Sequence, residues 1–411
     1  MDRRSFLGMA AAAQVAATRG TAANDKVNVA FLGVGTRGGD GLIPMFLKVP
    51  ECQAVAVCDP WKDRREARAK KIDDAYGKKG CAAYADFREV LARKDIDAVV
   101  IATPDHWHLP MAILAAEAGK DIYLEKPLGL SIPQAQRLRK ALAANQRVFQ
   151  YGTQQRASTH VRVGCELVRT GMVGRVHTVL VLAPGGDRGG TTEAMPVPEG
   201  FDFDLWIGPG PKRAYNDLLC KAAWPGHYYC YDYCLGFLAG WGAHPLDVAQ
   251  WGLNTDRTSP VEYEGVGWVP KSGLFTAIPN WTVKAKYANG VTLHFMDDPQ
   301  NLTKFIGDEG WIGISRTAIT ASHKALLPPG LSVIKGEDPH HAQDFIDAVR
   351  TRGRTRAPFD AAFRSDVISH LSNIAIRLGR TVKWDPAKET IPDDPEAAAM
   401  LDRPQREPWK V

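Results

Sequence analysis

Long apolar runs are missing from this sequence of 411 residues, and none approaches the roughly 20 residues that a helix needs to span a bilayer. Unbroken basic runs are missing too. The richest basic stretch, residues 62–71, is interleaved with Asp63 and Glu66, which predicts the solvated face of a helix. With a net charge of only +5, neither nucleic acid nor a membrane span is expected.

The seven cysteines lack the paired doublets that a zinc site requires, so the sequence predicts no metal site. Cys230 and Cys234 are close enough in sequence to meet, but a chain of this size does not depend on disulfides. Hydrophobic residues make up 45% of the chain and charged residues 24%. These values describe a globular protein that is long enough for two domains.

The N-terminus has a pattern of its own. Arg3 and Arg4 precede a weakly apolar, alanine-rich stretch over residues 8–17, and small residues follow from Gly20 to Ala23. This order resembles a twin-arginine export signal. We therefore expect residues 1–23 to be a signal peptide and the protein to be periplasmic or secreted. The alternative is a disordered alanine-rich leader.

Short apolar runs alternate with helical patterns over residues 24–151. Strands are predicted at residues 27–32, 53–58, 98–102, 121–124 and 148–151, and helices at 63–76, 109–118 and 132–144. Such alternation predicts an α/β domain with a doubly wound parallel sheet, the Rossmann fold.

The pattern changes in residues 152–382, which predict an α+β substrate-binding and oligomerisation domain. Strands are predicted at 281–287, 291–295, 304–307 and 310–314, with Asn289-Gly290 as a hairpin turn. These strands predict a large, mainly antiparallel, open-faced sheet. Because an uncovered sheet face usually packs on another subunit, we expect a homo-oligomer through this sheet. Residues 383–411 are expected to form an extended C-terminal tail.

The sequence Gly33-Val34-Gly35-Thr36-Arg37-Gly38 lies where the first predicted strand meets a helix. Glycines there let the backbone approach a pyrophosphate at the helix N-terminus. Asp59 ends the second strand, where a carboxylate binds the ribose of a dinucleotide. A carboxylate repels the 2′-phosphate of NADP, so NAD is favoured over NADP, although Arg64 and Arg65 are near in sequence.

Two further motifs follow the next strands. Thr103, Pro104, Trp107 and His108 come after the third strand, where side chains can contact a cofactor; the alternative is that the histidines cap the following helix. Glu125-Lys126-Pro127 follows the fourth strand. A lysine at that edge can hydrogen-bond a substrate hydroxyl and assist its deprotonation.

Together these motifs resemble the glucose–fructose oxidoreductase / inositol dehydrogenase (Gfo/Idh/MocA) family. The resemblance is carried by ATPDHWH, AAEAGK and YLEKPLGLS within residues 102–131, by GTQQR at 152–156, by GAHPLD at 242–247, and by LGR at 378–380 with WD at 384–385. It implies that Lys126 and His244 face the substrate. It also implies cofactor contacts by Glu125, Lys126 and Gln154 and a substrate contact by Arg156.

One position departs from that family. Many members have an aspartate four residues before the histidine, and this chain has Gly240 there. Asp232 and Asp247 are the candidates to replace the missing acid. Asp247 is expected to orient His244 or bind substrate, and its alternative role is to stabilise the helix. Tyr231 and Trp241 are candidate sugar-binding rings, and their alternative role is to fill the core.

Three functions remain open at this point. The leading hypothesis is an NAD-dependent carbohydrate oxidoreductase with a tightly bound cofactor, because an exported enzyme meets no pool of free dinucleotide. Lys126 would polarise the sugar hydroxyl and His244 would act as general base. The alternatives are a redox-neutral, NAD-dependent glycoside hydrolase and a non-catalytic dinucleotide-binding sensor.

Overall fold

The computed structural model describes residues 26–221, 226–327 and 340–411, so the expected signal peptide at 1–23 lies outside the described residues. Within these ranges no helix combines the length and the apolar character needed to cross a membrane. All seven cysteines are described and carry free thiols, so Cys230 and Cys234 are not joined.

Six parallel strands form the first sheet, in the order β3-β2-β1-β4-β5-β6. The strands are β1 (Val27–Leu32), β2 (Cys52–Cys58), β3 (Ala82–Tyr84), β4 (Ala98–Ile101), β5 (Asp121–Leu124) and β6 (Phe149–Tyr151). The strand order reverses between β1 and β4, and the carboxyl ends of these two strands open a crevice there. The predicted Rossmann sheet is confirmed.

Helices connect these strands. After a π-helical segment at Thr36–Leu42 come α1 (Ile43–Leu47), α2 (Lys62–Tyr76), α3 (Phe87–Ala92), α4 (Asp105–Glu117) and α5 (Ile132–Ala144). Helix α4 begins four residues earlier than the periodicity predicts. Asp105, Trp107 and His108 therefore lie in its first turn and not in a loop.

Eight strands form the second sheet, in the order β13-β12-β11-β7-β10-β9-β8-β14. The strands are β7 (Val176–Ala183), β8 (Glu262–Gly267), β9 (Trp281–Lys286), β10 (Thr292–Asp297), β11 (Leu302–Gly307), β12 (Gly310–Ser315), β13 (Ile319–Ala321) and β14 (Val382–Lys383). Among the described neighbours only β7 and β10 run parallel. The predicted mainly antiparallel sheet is confirmed.

The remaining helices cover one face of this sheet or return to the first domain. They are α6 (Thr159–Arg169), α7 (Phe203–Ile207), α8 (Asp217–Cys220), α9 (Phe237–Gly240), α10 (Ala243–Gly252), α11 (His340–Thr351), α12 (Phe359–Leu378) and α13 (Pro395–Ala399), with 3₁₀ turns at Gln154–Ala157, Gly226–Tyr229 and Lys324–Leu326. Helices α6, α10 and α12 contact the sheet. The tail contains the short helix α13, so it is not extended throughout.

Helix α11 packs on the first domain although it lies late in the chain. The Phe345 ring contacts Phe46 and Tyr123, with centroids 6.1 and 5.9 Å apart. Phe345 is fully buried. The core of the Rossmann domain is therefore completed by residues beyond 340, and the packing crosses the sequence boundary at residue 152.

Candidate active site

The glycine-rich loop after β1 has two crowded glycines and one open glycine. A Cβ on Gly33 (φ +82°) would lie 2.7 Å from the Ala102 backbone, and one on Gly38 would lie 1.9 Å from the Gly33 oxygen. Among the described residues, a Cβ on Gly35 would meet the Arg64 guanidinium alone, at 3.7 Å. Gly33 and Gly38 let the loop fold tightly, whereas Gly35 leaves its backbone open to a ligand.

This open backbone forms part of the wall of a cavity of about 540 Å³. The residues predicted to bind the cofactor that line it are Gly33, Gly35, Thr36, Arg37, Asp59, Thr103, Pro104 and Trp107. His108 does not line it. Its ring nitrogens lie 2.6 Å from the Pro127 oxygen and 2.9 Å from the Thr103 oxygen, so the ring links two loops behind the cavity.

Asp59 lies almost fully buried in the cavity wall. Its carboxylate oxygens accept hydrogen bonds from the amides of Trp61 and Val34, at 3.0 and 2.9 Å. Burial raises the pKa of Asp59, and these amides together with the charges of Arg64 and Arg65 oppose the rise. Each oxygen has a second lone pair that can accept from a ribose hydroxyl. The open Gly35 backbone and this carboxylate fit a dinucleotide.

A segment of the second domain, residues 200–208, closes over this cavity, and we name it the strap. The Phe201 ring stacks on Trp61 with centroids 3.9 Å apart. The indole nitrogen of Trp107 donates to the Leu205 oxygen at 2.9 Å. Leu205 and Trp206 line the cavity from this side. The cavity is therefore enclosed by both domains.

The C-terminal tail fastens the strap. The Arg406 guanidinium pairs with Asp204 at 2.9 Å, and the Trp409 indole donates to the same carboxylate at 3.2 Å. The Trp409 ring also packs edge-on against Trp107, with centroids 5.7 Å apart. A dinucleotide in the cavity would be held by a strap that the tail keeps in place.

Glu125 joins the glycine loop to the end of β5. It accepts hydrogen bonds from Arg37 at 2.8 Å and from Gln154 at 3.0 Å. Burial alone would raise the pKa of Glu125, but the charges of Arg37 and Lys126 and these hydrogen bonds hold it below its usual value. Glu125 is therefore an ionised, buried carboxylate that fixes Arg37 at the cavity wall.

Lys126 reaches across to the second domain. Its Nζ donates to the Gly240 oxygen at 3.0 Å and lies 5.8 Å from the centroid of the Tyr228 ring. Burial lowers the pKa of Lys126, while the carboxylates of Glu125 and Asp105 oppose that change. Lys126 is thus a half-buried amine beside Tyr228, which lines the cavity.

His244 lies in the first turn of α10 and is buried. Its Nδ1 has no hydrogen-bond partner among the described residues. Burial, and then the nearby charges of Arg316 and Lys126, hold the pKa of His244 well below its usual value. The Trp241 ring packs against the imidazole with centroids 6.1 Å apart. His244 is therefore a neutral imidazole near Lys126 with an unoccupied nitrogen.

Arg156 and Asp247 are bonded to each other and not directed at a substrate. The Arg156 Nη2 lies 2.8 Å from Asp247 and 2.9 Å from Asp256, and both Arg156 and Asp247 are nearly inaccessible. Separating such a buried pair costs about 3–5 kcal/mol. This geometry departs from the expectation that Asp247 orients His244 and gives the pair a role in packing.

Asp232 and Tyr231 also lie apart from Lys126 and His244. Asp232 forms an ion pair with Arg213 and lines a separate cleft of about 70 Å³. The Tyr231 ring lies between the guanidiniums of Arg377 and Arg403, at 3.4 and 3.7 Å from its centroid. Asp232 therefore does not replace the aspartate that is missing at position 240. Tyr231 does not line the cofactor cavity.

The cavity residues that the sequence-based site missed include His227 and Tyr228. Their rings stack with centroids 4.4 Å apart, and the His227 Nε2 is buried with no partner among the described residues. Burial lowers the pKa of His227 to about 3, so the ring is neutral. The aromatic run from Tyr228 to Tyr233 was the available signal, but the pattern does not tell which ring faces the cavity.

Part of this chain is similar in sequence to a known protein. A 38% identical stretch of 116 residues is shared with a glycosyl hydrolase family 109 protein of Saccharopolyspora erythraea. That stretch covers 27% of this chain and a quarter (25%) of the relative's length.

Solved structures show the same fold at low identity. Aldose-aldose oxidoreductase from Caulobacter crescentus has a TM-score of 0.65 and 19% identity, over 87% of this chain and 99% of that chain. Myo-inositol 2-dehydrogenase from Lactobacillus plantarum has a TM-score of 0.62 and 17% identity, over the same shares of the chains, 87% and 99%.

Family models account for both domains. Residues 27–153 match the NAD-binding Rossmann fold of the oxidoreductase family, and residues 161–411 match its C-terminal alpha/beta domain. The chain therefore belongs to the Gfo/Idh/MocA oxidoreductase family and has an NAD-binding Rossmann domain.

Proposed function

We propose that this protein is an NAD-dependent carbohydrate oxidoreductase that transfers hydride between a sugar hydroxyl carbon and a tightly bound nicotinamide cofactor. The observation that carries the proposal is the pairing of a half-buried amine, Lys126, with a buried, neutral imidazole, His244, where Lys126 faces the Tyr228 ring that lines a cavity fit for a dinucleotide. Sugar oxidoreductases among proteins of the same fold support it.

The protein residues handle the proton of the sugar hydroxyl. When bound, the nicotinamide supplies the hydride acceptor for the C–H bond. Lys126 holds the hydroxyl oxygen and stabilises the negative charge that develops there. His244, neutral and with a free nitrogen, accepts the proton. The O–H and C–H bonds break as the carbonyl forms, and both steps reverse during reduction.

The cofactor is proposed to be NAD and not NADP. The buried Asp59 carboxylate lines the cavity where the adenosine ribose binds in this fold. A 2′-phosphate there would lie against a negative charge with little water to screen it. Arg64 also lines the cavity, but its guanidinium stacks over the Trp61 ring at 4.9 Å, which holds it in place.

A redox-neutral glycoside hydrolase is the second candidate. Two observations favour it: the similarity to a glycosyl hydrolase family 109 protein and Gly240 in place of the usual aspartate. In that reaction the sugar is oxidised, the aglycone leaves as a proton is removed from the carbon beside the new carbonyl, water adds to the resulting double bond, and the sugar is reduced again on the same cofactor. The strap, fastened by the tail, suits either reaction because both need a cofactor that stays bound.

Export and assembly are also proposed. The paired Arg3 and Arg4 support transport to the periplasm or medium, and cell fractionation would contradict this if the protein stayed in the cytoplasm. On β10, Leu293 and Phe295 face the core while His294 and Met296 face outward and are partly exposed. We expect a second copy to cover this face, so that light scattering gives a mass above 45.0 kDa.

The decisive experiment is to denature the purified protein and identify the released dinucleotide by mass spectrometry. We expect NAD or NADH in near-stoichiometric amount. Incubation of the native protein with glycosides, without added NAD, then separates the two reactions: release of aglycone supports the hydrolase, and transfer between two sugars supports the oxidoreductase. A preparation that holds no dinucleotide and binds none at saturation would contradict both.

A further inference from the structure

Asp105 is a buried carboxylate that the proposed reaction leaves unused. It begins α4, is 2% exposed, and lies at the crevice between the two domains. Among the described residues its carboxylate has one hydrogen-bond donor, the thiol of Cys234, at 2.7 Å. Burial raises the pKa of Cys234 well above its usual value, so the sulfur keeps its proton and donates it.

The charge of Asp105 is balanced at a distance and not by an ion pair. No cation of the described residues forms a salt bridge with it, whereas Glu125 is paired with Arg37 at 2.8 Å. The charge of Asp105 acts on Lys126; the charges of His108 and Lys126 act on Asp105 against the effect of its burial, and Asp366 acts in the other direction. A buried carboxylate without an ion pair is costly, so its position near the half-buried Lys126 amine points to a role there.

Two hydrogen bonds join the first domain to residues 234–240 of the second domain. Lys126 Nζ donates to the Gly240 oxygen, and Cys234 Sγ donates to Asp105. The short helix α9 begins at Phe237 and ends at Gly240, and Cys234 lies three residues before its start. The Asp105 carboxylate therefore fixes one end of the segment whose other end holds the Lys126 amine.

This arrangement matters because Gly240 stands where many family members have an aspartate. An aspartate there would add a negative charge beside Lys126, and a Cβ has room, since its nearest contact is Tyr228 at 3.6 Å. Of the other candidates for the missing acid, Asp232 is paired with Arg213 and Asp247 with Arg156. Asp105 acts on Lys126 from within the first domain, as Glu125 does, but Glu125 is already paired with Arg37.

We propose, on the basis of the proposed function, that Asp105 is a positioning carboxylate that balances the charge of Lys126 and, through Cys234, holds the Gly240 segment against the Rossmann domain. Asp105 replaces, from the first domain, the acid that other members carry at position 240. The ionisable groups around Lys126 are Glu125, Asp105, Arg37, Cys234, His227 and His244, and its ammonium also faces the Tyr228 ring.

The test compares Asp105→Asn with the wild-type protein. The amide keeps the shape and an oxygen acceptor but removes the charge. Loss of a nearby negative charge disfavours the ammonium form of Lys126. In the profile of kcat against pH, the limb that reports the titration of Lys126 should therefore move to lower pH by about one unit. We expect kcat to fall about tenfold with KM nearly unchanged.

Stability separates a positioning role from a structural one. Burial raises the pKa of Asp105, so its ionised form costs the folded state free energy at neutral pH. Asp105→Asn removes that cost and should unfold at the same or a higher denaturant concentration at pH 7–8. A carboxylate that only supports the fold would give the opposite, a less stable variant with an unshifted pH profile.

Cys234 supplies the matched pair of variants. Cys234→Ala removes the donor to Asp105 and should lower kcat several-fold, whereas Cys234→Ser keeps a donor and should restore most of it. The fluorescence of bound NADH, followed across pH without substrate, reports the same limb when no turnover is found. An unmoved limb in Asp105→Asn, with turnover intact, would overturn the role of Asp105 and leave the proposed function standing. If the wild-type protein shows no turnover but the limb shifts in Asp105→Asn, the role of Asp105 stands and the proposed function is contradicted.

Discussion

Replacing Lys126 with methionine will lower kcat by a factor on the order of 10² to 10⁴, which is the usual contribution of a positioned proton-handling group. Methionine keeps the length and suits the burial of this position, so the fold should persist. The ammonium that holds the sugar oxygen is lost, together with the hydrogen bond from Nζ to the Gly240 oxygen at 3.0 Å. Dinucleotide binding should change little, because the glycine loop and Asp59 are untouched.

Lys120→Met is the matched control. Lys120 is buried, and its Nζ donates to the backbone oxygens of Arg93 and Ile96, away from the cavity. That variant should lose stability and keep its kcat. The measurements are steady-state turnover and the NADH fluorescence titration. If Lys126→Met turns over as fast as the wild type, catalysis through this site is wrong and the dinucleotide-binding sensor becomes the better explanation.

The first sheet was predictable because its signals are local. The strands at residues 27–32 and 121–124 match the predicted bounds, since a buried parallel strand is a short apolar run that any window detects. Strand β3 was missed: Ala82–Tyr84 is three residues long and half-exposed at the sheet edge, with too few positions to show a period. Strand β8 was missed because Gly265 and Gly267 interrupt its alternation.

The position of a site residue was predictable where the neighbouring sequence places that residue at the end of a strand. The glycine loop, Asp59 and the Lys126 motif each sit at the end of a strand, so the fold places them at one edge. Partners across the chain were not predictable. Asp247 meets an arginine 91 residues away, and Asp105 meets a cysteine 129 residues away. Only the tertiary packing decides which carboxylates are neutralised by an arginine and which act on Lys126.

The oxidoreductase and the hydrolase differ in what happens after the first oxidation, and not in the residues that perform it. Both need Lys126 to hold the oxygen and His244 to take the proton. Elimination adds the removal of a second, carbon-bound proton, for which a further base must be near. Tyr228 and His227 line the cavity beside Lys126 and have no counterpart in the sequence-based site. Their presence gives the hydrolase a chemical basis that composition alone did not offer.

A substitution in the glycine loop should also have a large effect, because it weakens dinucleotide binding while the stability of the free protein is kept. Gly35→Ala adds a Cβ that, among the residues the structure describes, meets the Arg64 guanidinium alone, at 3.7 Å, so the free protein should keep its stability to within about 1 kcal/mol. The same methyl group lies where the pyrophosphate must approach the backbone. We therefore expect dinucleotide affinity to fall on the order of a hundredfold, which corresponds to about 2.7 kcal/mol.

Gly38→Ala should fail for a different reason. Its Cβ would lie 1.9 Å from the Gly33 oxygen, so the loop cannot close and both stability and binding are lost. Gly80→Ala is the neutral control, because a Cβ there meets no atom of the described part of the chain within 4 Å. Chemical denaturation and NADH titration of the three variants distinguish these cases. An unchanged affinity in Gly35→Ala would mean that no pyrophosphate rests on this loop, and the enzyme assignment would lose its foundation even though the Rossmann fold remained.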